Sequence, residues 1–315
     1  MTSPLVPPTA FIGCDVGKSD IVVFDSRTGQ TCAWLNQVEA LDRCVATLDA
    51  TCLVVCEATG GYEAALLDAV SRAGHAAHRA DARKVKAFIR PFGTLGKTDA
   101  IDARALAQYG QERDARLPRW QPTDAQRGQL HAFVLARRDM ITDRTAWNNR
   151  RKAPGAEAIE TVIQPICDAL DAQIQATDNA IEAVIKTSKP LKHDLAVLRT
   201  IKGIGRVTAV AIIALLPELG TITNKQAAAL AGLAPHPNQS GTRDAYRPVR
   251  GGRPNVRSSL FMGALAASRS NKQLAELYQR LIARGKKPIV ATTATMRKLI
   301  VICDARLRDA ACELS

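Results

Sequence analysis

Short apolar runs separated by polar turns dominate the first third of the chain. Runs rich in Val, Ile, Phe and Cys, which favour β-strands, cover residues 10–16, 20–25, 31–35 and 52–57. A turn at 26–29 joins the second run to the third, which predicts a β-hairpin. Further elements predicted from periodicity are a short strand at 75–79 and helices at 37–49, 62–73 and 81–89.

Three antiparallel strands followed by alternating helices and strands match the ribonuclease H-like arrangement. We therefore predict an α/β, ribonuclease H-like domain over residues 1–112.

Residues 113–190 lack strand signals and carry apolar side chains at helical spacing. The segment 152–156, with a Pro-Gly pair, provides a natural reversal. These features predict an αα-hairpin or antiparallel coiled-coil arm, although an ordinary helical bundle has the same pattern. Pro165 is expected to interrupt the second helix, since proline removes a backbone donor.

The remaining domain, residues 191–315, is predicted to be mainly helical. Within it, Gly203-Ile-Gly205 separates two helical stretches. Glycine permits a tight turn, and the following helix offers unpaired N–H groups to a phosphate. The pattern resembles a helix-hairpin-helix motif that grips DNA backbones, with Gly203 and Gly205 as phosphate-binding residues. The alternative is a helical hairpin with a glycine cap.

The charge of the chain is uneven. Of 315 residues, the first 110 hold 11 Lys and Arg against 12 Asp and Glu, and the rest hold 32 against 18. A basic C-terminal part favours a polyanionic partner, although a protein with a high isoelectric point is the simpler alternative. The longest apolar stretch, 209–216, is far shorter than the roughly 20 residues that span a bilayer. The eight cysteines lack metal-ligand spacing and are expected to be reduced, as in a cytosol.

Four carboxylates carry the strongest chemical signal. Asp15 ends the first apolar run and Glu57 ends the fourth, while Asp99 and Asp102 are three residues apart on a predicted helix. Together they would form a set of hard oxygen ligands suited to Mg²⁺ and to chemistry on a phosphodiester. Acids in the first turn of a helix also complement its dipole without any metal.

Asp15-Val-Gly-Lys-Ser also resembles the phosphate-binding start of actin-like ATPases. This is a competing interpretation, but it leaves the basic C-terminal part of the chain unexplained.

An arginine-rich stretch follows Ser240-Gly241. Its proline and glycine content predicts a loop, and arginine forks suit phosphate groups. By itself a Ser-Gly pair usually marks a turn. The predicted nucleic-acid-binding side chains are Lys97, Arg243, Arg247, Arg250, Arg253 and Arg257.

Taken in order, these motifs closely resemble a family of bacterial insertion-sequence transposases with a DEDD, RuvC-like catalytic domain. This is the IS-one-ten family, which also includes the Piv invertase. The resemblance covers nearly the whole chain and rests on Gly13-Cys-Asp15-Val-Gly-Lys, Glu57-Ala-Thr-Gly-Gly-Tyr, Lys97-Thr-Asp99-Ala-Ile-Asp102-Ala, Gly203-Ile-Gly205 and Ala231-Gly-Leu-Ala-Pro-His-Pro-Asn-Gln-Ser240-Gly.

The resemblance implies a mechanism and a set of partners. Asp15, Glu57, Asp99 and Asp102 would be ligands of Mg²⁺, with Mn²⁺ as a substitute, and Ser240 would be the nucleophile in a phosphoserine–DNA intermediate. It further implies donor and target DNA, a non-coding bridge RNA, and a tetramer whose composite active sites join domains of different protomers. The expected location is the bacterial cytoplasm, at the nucleoid when acting.

Two other classes stay open from the residues alone. A RuvC-like nuclease or junction resolvase would use metal-activated water in place of Ser240. A non-enzymatic DNA-binding protein would bind DNA in a salt-dependent way without cutting it.

Overall fold

The computed structural model describes residues 7–92, 98–236, 239–240, 243–244 and 247–313. Within it the chain divides into two compact units, Met1–Thr123 and Asp124–Ser315. The first unit is mixed α/β and the second is almost entirely helical.

The first unit contains five strands and four α-helices among its described residues. The strands are β1 Ala10–Val16, β2 Asp20–Asp25, β3 Thr31–Leu35, β4 Cys52–Glu57 and β5 Ala76–Ala80. The helices are α1 Val38–Ala46, α2 Ala64–Arg72, α3 Ala82–Ile89 and α4 Asp99–Arg113.

The strands form one sheet in the order β3-β2-β1-β4-β5. β1, β2 and β3 pair antiparallel, and β1, β4 and β5 pair parallel. The predicted hairpin turn is confirmed, since Asp25 N–H donates to the Gln30 carbonyl at 3.0 Å. This order and these strand directions fit the predicted ribonuclease H-like domain.

Alternation along β1 sends successive side chains to opposite faces of the sheet. Ile12 and Cys14 pack with α1 and α2 on one face. On the other face, a Cβ added at Gly13 would lie 1.9 Å from the Ala103 carbonyl oxygen and 2.5 Å from the Ala107 nitrogen. The backbone of α4 therefore lies directly on β1, at a distance that only glycine permits.

Four cysteines of the first unit are buried and act as small apolar side chains. Cys14, Cys44, Cys52 and Cys56 belong to the core beneath α1 and α2. Burial raises the pKa of the Cys56 thiol to about 12, which keeps it protonated.

The second unit contains eight α-helices and a small two-stranded ribbon among its described residues. The helices are α5 Ala125–Arg151, α6 Glu160–Thr187, α7 Lys189–Arg199, α8 Arg206–Leu215, α9 Asn224–Leu230, α10 Pro254–Ser270, α11 Lys272–Ala283 and α12 Pro288–Glu313. The ribbon consists of β6 Gln239–Ser240 and β7 Arg243–Asp244. None of the helices in the described part of the chain is long and apolar enough to cross a membrane.

α5 and α6 pack against each other as an antiparallel pair. Ion pairs join Arg137 to Asp178 at 2.6 Å and Arg144 to Asp171 at 2.5 Å, so residue numbers rise on one helix as they fall on the other. Near the base of the pair, side chains of both helices enter the core of the unit. They are Leu130, Ile181, Val184 and Ile185.

The expectation that Pro165 interrupts the second helix is wrong, because α6 runs unbroken from Glu160 to Thr187. Pro165 lies in the second turn, where the only intrahelical hydrogen bond it removes is the one to the Thr161 carbonyl. Packing against α5 outweighs this local cost.

Replacing Gly13 by Ala is expected to lower the free energy of unfolding by about 3 kcal/mol, because the new methyl meets backbone that cannot rotate away. Gly110→Ala is the matched control, since its Cβ would meet the Val55 Cγ2 methyl at 2.8 Å. That side chain can adjust, and alanine also favours the helix, so we expect a change within about 1 kcal/mol.

The measurement is urea unfolding followed by fluorescence in a Trp147→Phe background, in which Trp34 and Trp120 report on the first unit alone. Equal losses for the Gly13 and Gly110 variants would contradict the close backbone contact.

Candidate active site

Asp15 and Glu57 lie side by side at the edge of the sheet where strands β1 and β4 end. Cys14 of β1 pairs with Cys56 of β4 in neighbouring parallel strands, and Asp15 and Glu57 are the next residues of these strands. Because paired residues of parallel strands share a face, both carboxylates point to the face that α4 covers.

α4 brings the other two acids to the same edge. Its residues Ala103 and Ala107 lie over Gly13, whereas Gly110 lies beside Phe11 and Val55. The helix therefore runs antiparallel to β1. Its first turn, which holds Asp99 and Asp102, is at the end of the sheet where β1 and β4 finish.

The start of α4 is capped locally. The Thr98 side chain accepts a hydrogen bond from the Ile101 N–H at 3.3 Å. This N-cap sets the first helical residue at Asp99, and so places Asp102 one turn further along the same face.

Part of this acidic group is close enough for its charges to act on one another. Burial raises the pKa of the Glu57 carboxyl, and the charges of Asp15 and Asp102 raise it further, while Lys86 on α3 opposes them. Asp99 is exposed, whereas Asp15, Glu57 and Asp102 are partly buried. Asp15, Glu57 and Asp102 thus form the inner part of the site, with Asp99 toward solvent.

The donor chemistry fits a divalent cation. Within the described residues, no three His, Cys, Asp or Glu side chains already stand close enough to enclose an ion. The mutual repulsion felt at Glu57 is nevertheless the kind that a bound cation relieves, and carboxylate oxygens are the ligands that Mg²⁺ prefers. Asp15, Glu57 and Asp102 are the residues best placed to hold it.

Glu63, which was not among the residues predicted from the sequence, holds the loop after Glu57. Its side chain is buried, and Oε2 accepts hydrogen bonds from the Thr59 N–H at 3.1 Å, the Thr59 hydroxyl at 2.9 Å and the Gly61 N–H at 2.9 Å. Oε1 accepts from Arg79 Nε at 2.7 Å. The signal in the sequence was an acid two residues after the Thr-Gly-Gly turn at 59–61.

Asn36 connects the loops that follow the two acidic strand ends. Its Nδ2 donates to the Gly17 carbonyl at 2.9 Å and to the Tyr62 carbonyl at 3.1 Å. Gly17 follows Asp15 by two residues, and Tyr62 belongs to the loop after Glu57. Nothing in the sequence around Asn36 indicates this bridge.

The Gly203-Ile-Gly205 turn joins α7 to α8. A Cβ at Gly203 would lie 2.4 Å from the Ala267 Cβ, so this glycine packs against α10. Gly205 is exposed and is the N-cap of α8, with open space around it. Of the two, Gly205 is better placed to meet a phosphate.

Ser240 ends β6 and pairs with Arg243 of β7. The structure describes only the backbone of these two residues. Lys97 lies outside the described residues. The predicted arginine-rich loop is therefore in part a β-ribbon, and it ends where α10 begins at Pro254.

The other predicted arginines differ in their surroundings. Arg247 and Arg250 are exposed. Arg253 instead forms an ion pair with Glu218 at 2.5 Å, and Arg257 donates to the Gly232 carbonyl at 3.1 Å. The nucleic-acid contacts of these residues stay predictions.

Replacing Glu63 by Gln is expected to lower stability by about 3 kcal/mol at pH 7. Burial opposes ionisation of Glu63, but hydrogen bonds from the backbone, Arg79 and Thr59 outweigh it and lower the pKa to about 2. The contribution of Glu63 is therefore complete above the unfolded-state pKa near 4.3 and disappears as pH falls toward 2.

Urea unfolding at several pH values checks this, with the exposed Glu112→Gln as the matched control. The gap between wild type and the Glu63 variant is expected to close between pH 5 and pH 2. A gap that stays constant over this range would show that the carboxylate does not act through its charge.

Comparison with known proteins identifies the family to which the chain belongs. A family model for transposases with a DEDD site matches residues 12–153, which include all four predicted acids. A second, described as the transposase IS116/IS110/IS902 family, matches residues 195–279, which include Gly203 and Ser240.

A pilin gene-inverting protein of Moraxella bovis is 27% identical over 319 residues, covering 95% of this chain and 96% of the relative. The DEDD family suggests dependence on a divalent metal, and a transposase acts on DNA. The chain belongs to the IS110 family of transposases and is an enzyme of the DNA transposase and recombinase class.

Proposed function

We propose that this transposase cuts and rejoins DNA through Ser240, assisted by Mg²⁺ at the acidic site, with a covalent phosphoserine–DNA intermediate. Residues 1–112 are the RuvC-like catalytic domain, 113–190 a coiled-coil arm, and 191–315 the basic domain that carries the serine. The observation that supports this most strongly is the placement of Asp15 and Glu57 on adjacent strand ends, with the first turn of α4 at the same edge.

Mg²⁺ bound there would hold the scissile phosphate and stabilise the negative charge that develops on it. Asp15, Glu57 and Asp102 would be the inner ligands of the ion, and Asp99 would be the fourth ligand on the solvent side. Ser240 Oγ forms a bond to phosphorus as the bond from phosphorus to a sugar oxygen breaks. The serine proton ends on that sugar oxygen, and the phosphodiester energy is retained for rejoining.

The basic C-terminal part would bind the nucleic acids. Arg247 and Arg250 are exposed, and Gly205 opens the N-terminus of α8 to solvent. Arginine forks and helix N-termini both suit phosphates. By family resemblance the partners are donor and target DNA and a bridge RNA, and the assembly is a tetramer in which Ser240 and the acidic site come from different protomers.

A covalent protein–DNA adduct is the expected product when the protein is incubated with Mg²⁺, labelled element-end DNA and the candidate RNA. On a denaturing gel, the wild type should give the adduct and Ser240→Ala should not. Asp15→Asn should also lose it, because the acidic site is incomplete. Ser270→Ala, at an exposed serine late in α10, is the control and should react like the wild type.

Two outcomes would overturn this mechanism. Cleaved DNA without adduct, equal in wild type and Ser240→Ala, would indicate a nuclease that uses metal-activated water. Salt-dependent binding without cleavage in any buffer would indicate a protein that only binds DNA.

Shortening the α5–α6 pair is expected to abolish the tetramer, because we propose that this arm spans protomers. Replacing residues 142–173 with a Gly-Ser linker removes the distal half and keeps the Arg137–Asp178 pair and the apolar base. Mass photometry with DNA and RNA measures assembly, and circular dichroism checks that the remaining helices fold. A tetramer that survives this change would contradict the role of the arm.

A further inference from the structure

The segment that carries Ser240 has a paired stem. Pro235 and Val249 form a β-bridge, and the His236 N–H donates to the Pro248 carbonyl at 3.1 Å. Further along, Ser240 pairs with Arg243. We call the described paired residues 235–236, 239–240, 243–244 and 248–249 the serine ribbon. Because its described residues pair both at the base and next to Ser240, the direction of the ribbon depends on how its base is held.

The base of the ribbon is a backbone contact. A Cβ at Gly252 would lie 2.2 Å from the Gly232 nitrogen and 2.5 Å from the Ala229 carbonyl oxygen. The Arg253 N–H then donates to the Leu230 carbonyl at 2.7 Å. The two ends of the ribbon therefore meet at the end of α9, with no room for side chains between them.

Arg253 fastens this base to the helical core. Its guanidinium donates to both oxygens of Glu218, at 2.8 Å and 2.5 Å, and to the Leu215 carbonyl at 2.6 Å. Arg253 thus reaches the end of α8 as well as the turn that follows it. A bidentate pair with a third hydrogen bond fixes the orientation of the guanidinium.

The turn that holds Glu218 is itself anchored. Two residues later, the Gly220 N–H donates to Oδ1 of Asp304 at 2.8 Å, and Asp304 on α12 is fully buried. Burial opposes ionisation of Glu218, but its hydrogen bonds with Arg253 prevail and lower its pKa. The carboxylate is therefore charged at neutral pH and is held on a rigid part of the unit.

We propose that Arg253 is a positioning residue, and that its pair with Glu218 holds the serine ribbon in the orientation from which Ser240 reacts. This replaces the phosphate contact predicted for Arg253 from its place in the arginine-rich stretch. The role of Ser240 rests on the function proposed above, whereas the anchoring of the ribbon does not.

Arg250 offers a contrast within the same stretch. It is exposed, and within the described residues its side chain forms no ion pair. The two arginines, three residues apart, therefore have different expected effects. Loss of Arg250 weakens nucleic-acid binding, whereas loss of the Arg253–Glu218 pair loosens the ribbon.

The test uses the full-length protein and the variants Glu218→Gln, Arg253→Lys and Arg250→Ala. In hydrogen exchange, amides of residues 233–252 should exchange about tenfold faster in the Glu218 and Arg253 variants and at the wild-type rate in Arg250→Ala. Glu182→Gln is the matched control, because it removes the Arg206 pair of similar exposure elsewhere in the unit and should leave these amides unchanged.

Binding to duplex DNA across a salt series separates the two roles. Arg250→Ala should reduce the slope of log affinity against log salt by roughly one, as for a lost phosphate contact, and Glu218→Gln should leave it unchanged. If Arg253 is a phosphate contact, Glu218→Gln instead frees it and strengthens binding while the exchange of the ribbon stays at the wild-type rate. That result would overturn the proposal.

Adduct formation at saturating DNA then connects the anchor to the chemistry. Misplacement of the serine should slow the adduct about 10- to 100-fold in Glu218→Gln. A wild-type rate in that variant, with a loosened ribbon, would remove the positioning role. If the wild type itself forms no adduct, the proposed function fails, and the exchange and salt data still decide whether Glu218 and Arg253 anchor the ribbon.

Discussion

The contact between the backbone of α4 and that of β1 is the constraint on which the first unit depends. Ala103, Ala107 and Gly110 recur on one face of α4; Gly13 lies opposite the two alanines, and Gly110 lies beside Phe11 and Val55. With no side chain at Gly13 to separate them, α4 and β1 are held at a distance that their backbone atoms determine. The acids in its first turn are therefore placed by main-chain packing, which is stiffer than packing through long side chains.

Much of this unit follows from local patterns. The strand runs and the helix periods predicted the elements well, because apolar residues at those spacings have few other ways to be buried. Asp15 and Glu57 were found because a carboxylate at the end of a buried strand has no packing role, and Asp99 and Asp102 were found from their spacing on a predicted helix. Which strands are neighbours depends on contacts distant in sequence, and the ribonuclease H-like arrangement supplied that step.

The parts that were missed depend on partners far apart in sequence. From the sequence alone, Pro165 predicts a break in the helix, and only the packing of α6 against α5 explains why there is none. From the sequence alone, Glu63 resembles any surface acid, and only the fold places Arg79 of β5 beside it. Arg253 belongs by composition to an arginine-rich loop, and only the folded chain brings Glu218 to it. Charge counted along a sequence therefore says little about which arginines are free to bind a polyanion.

The ion pairs along α5 and α6 have a consequence for how this protein can vary in length. Arg137–Asp178 and Arg144–Asp171 are spaced seven residues apart on each helix, close to two helical turns. An insertion in one helix alone would slide every later pair out of register. Compatible changes add or remove seven residues from both helices together, so the reach of this pair would evolve in steps of about 10 Å.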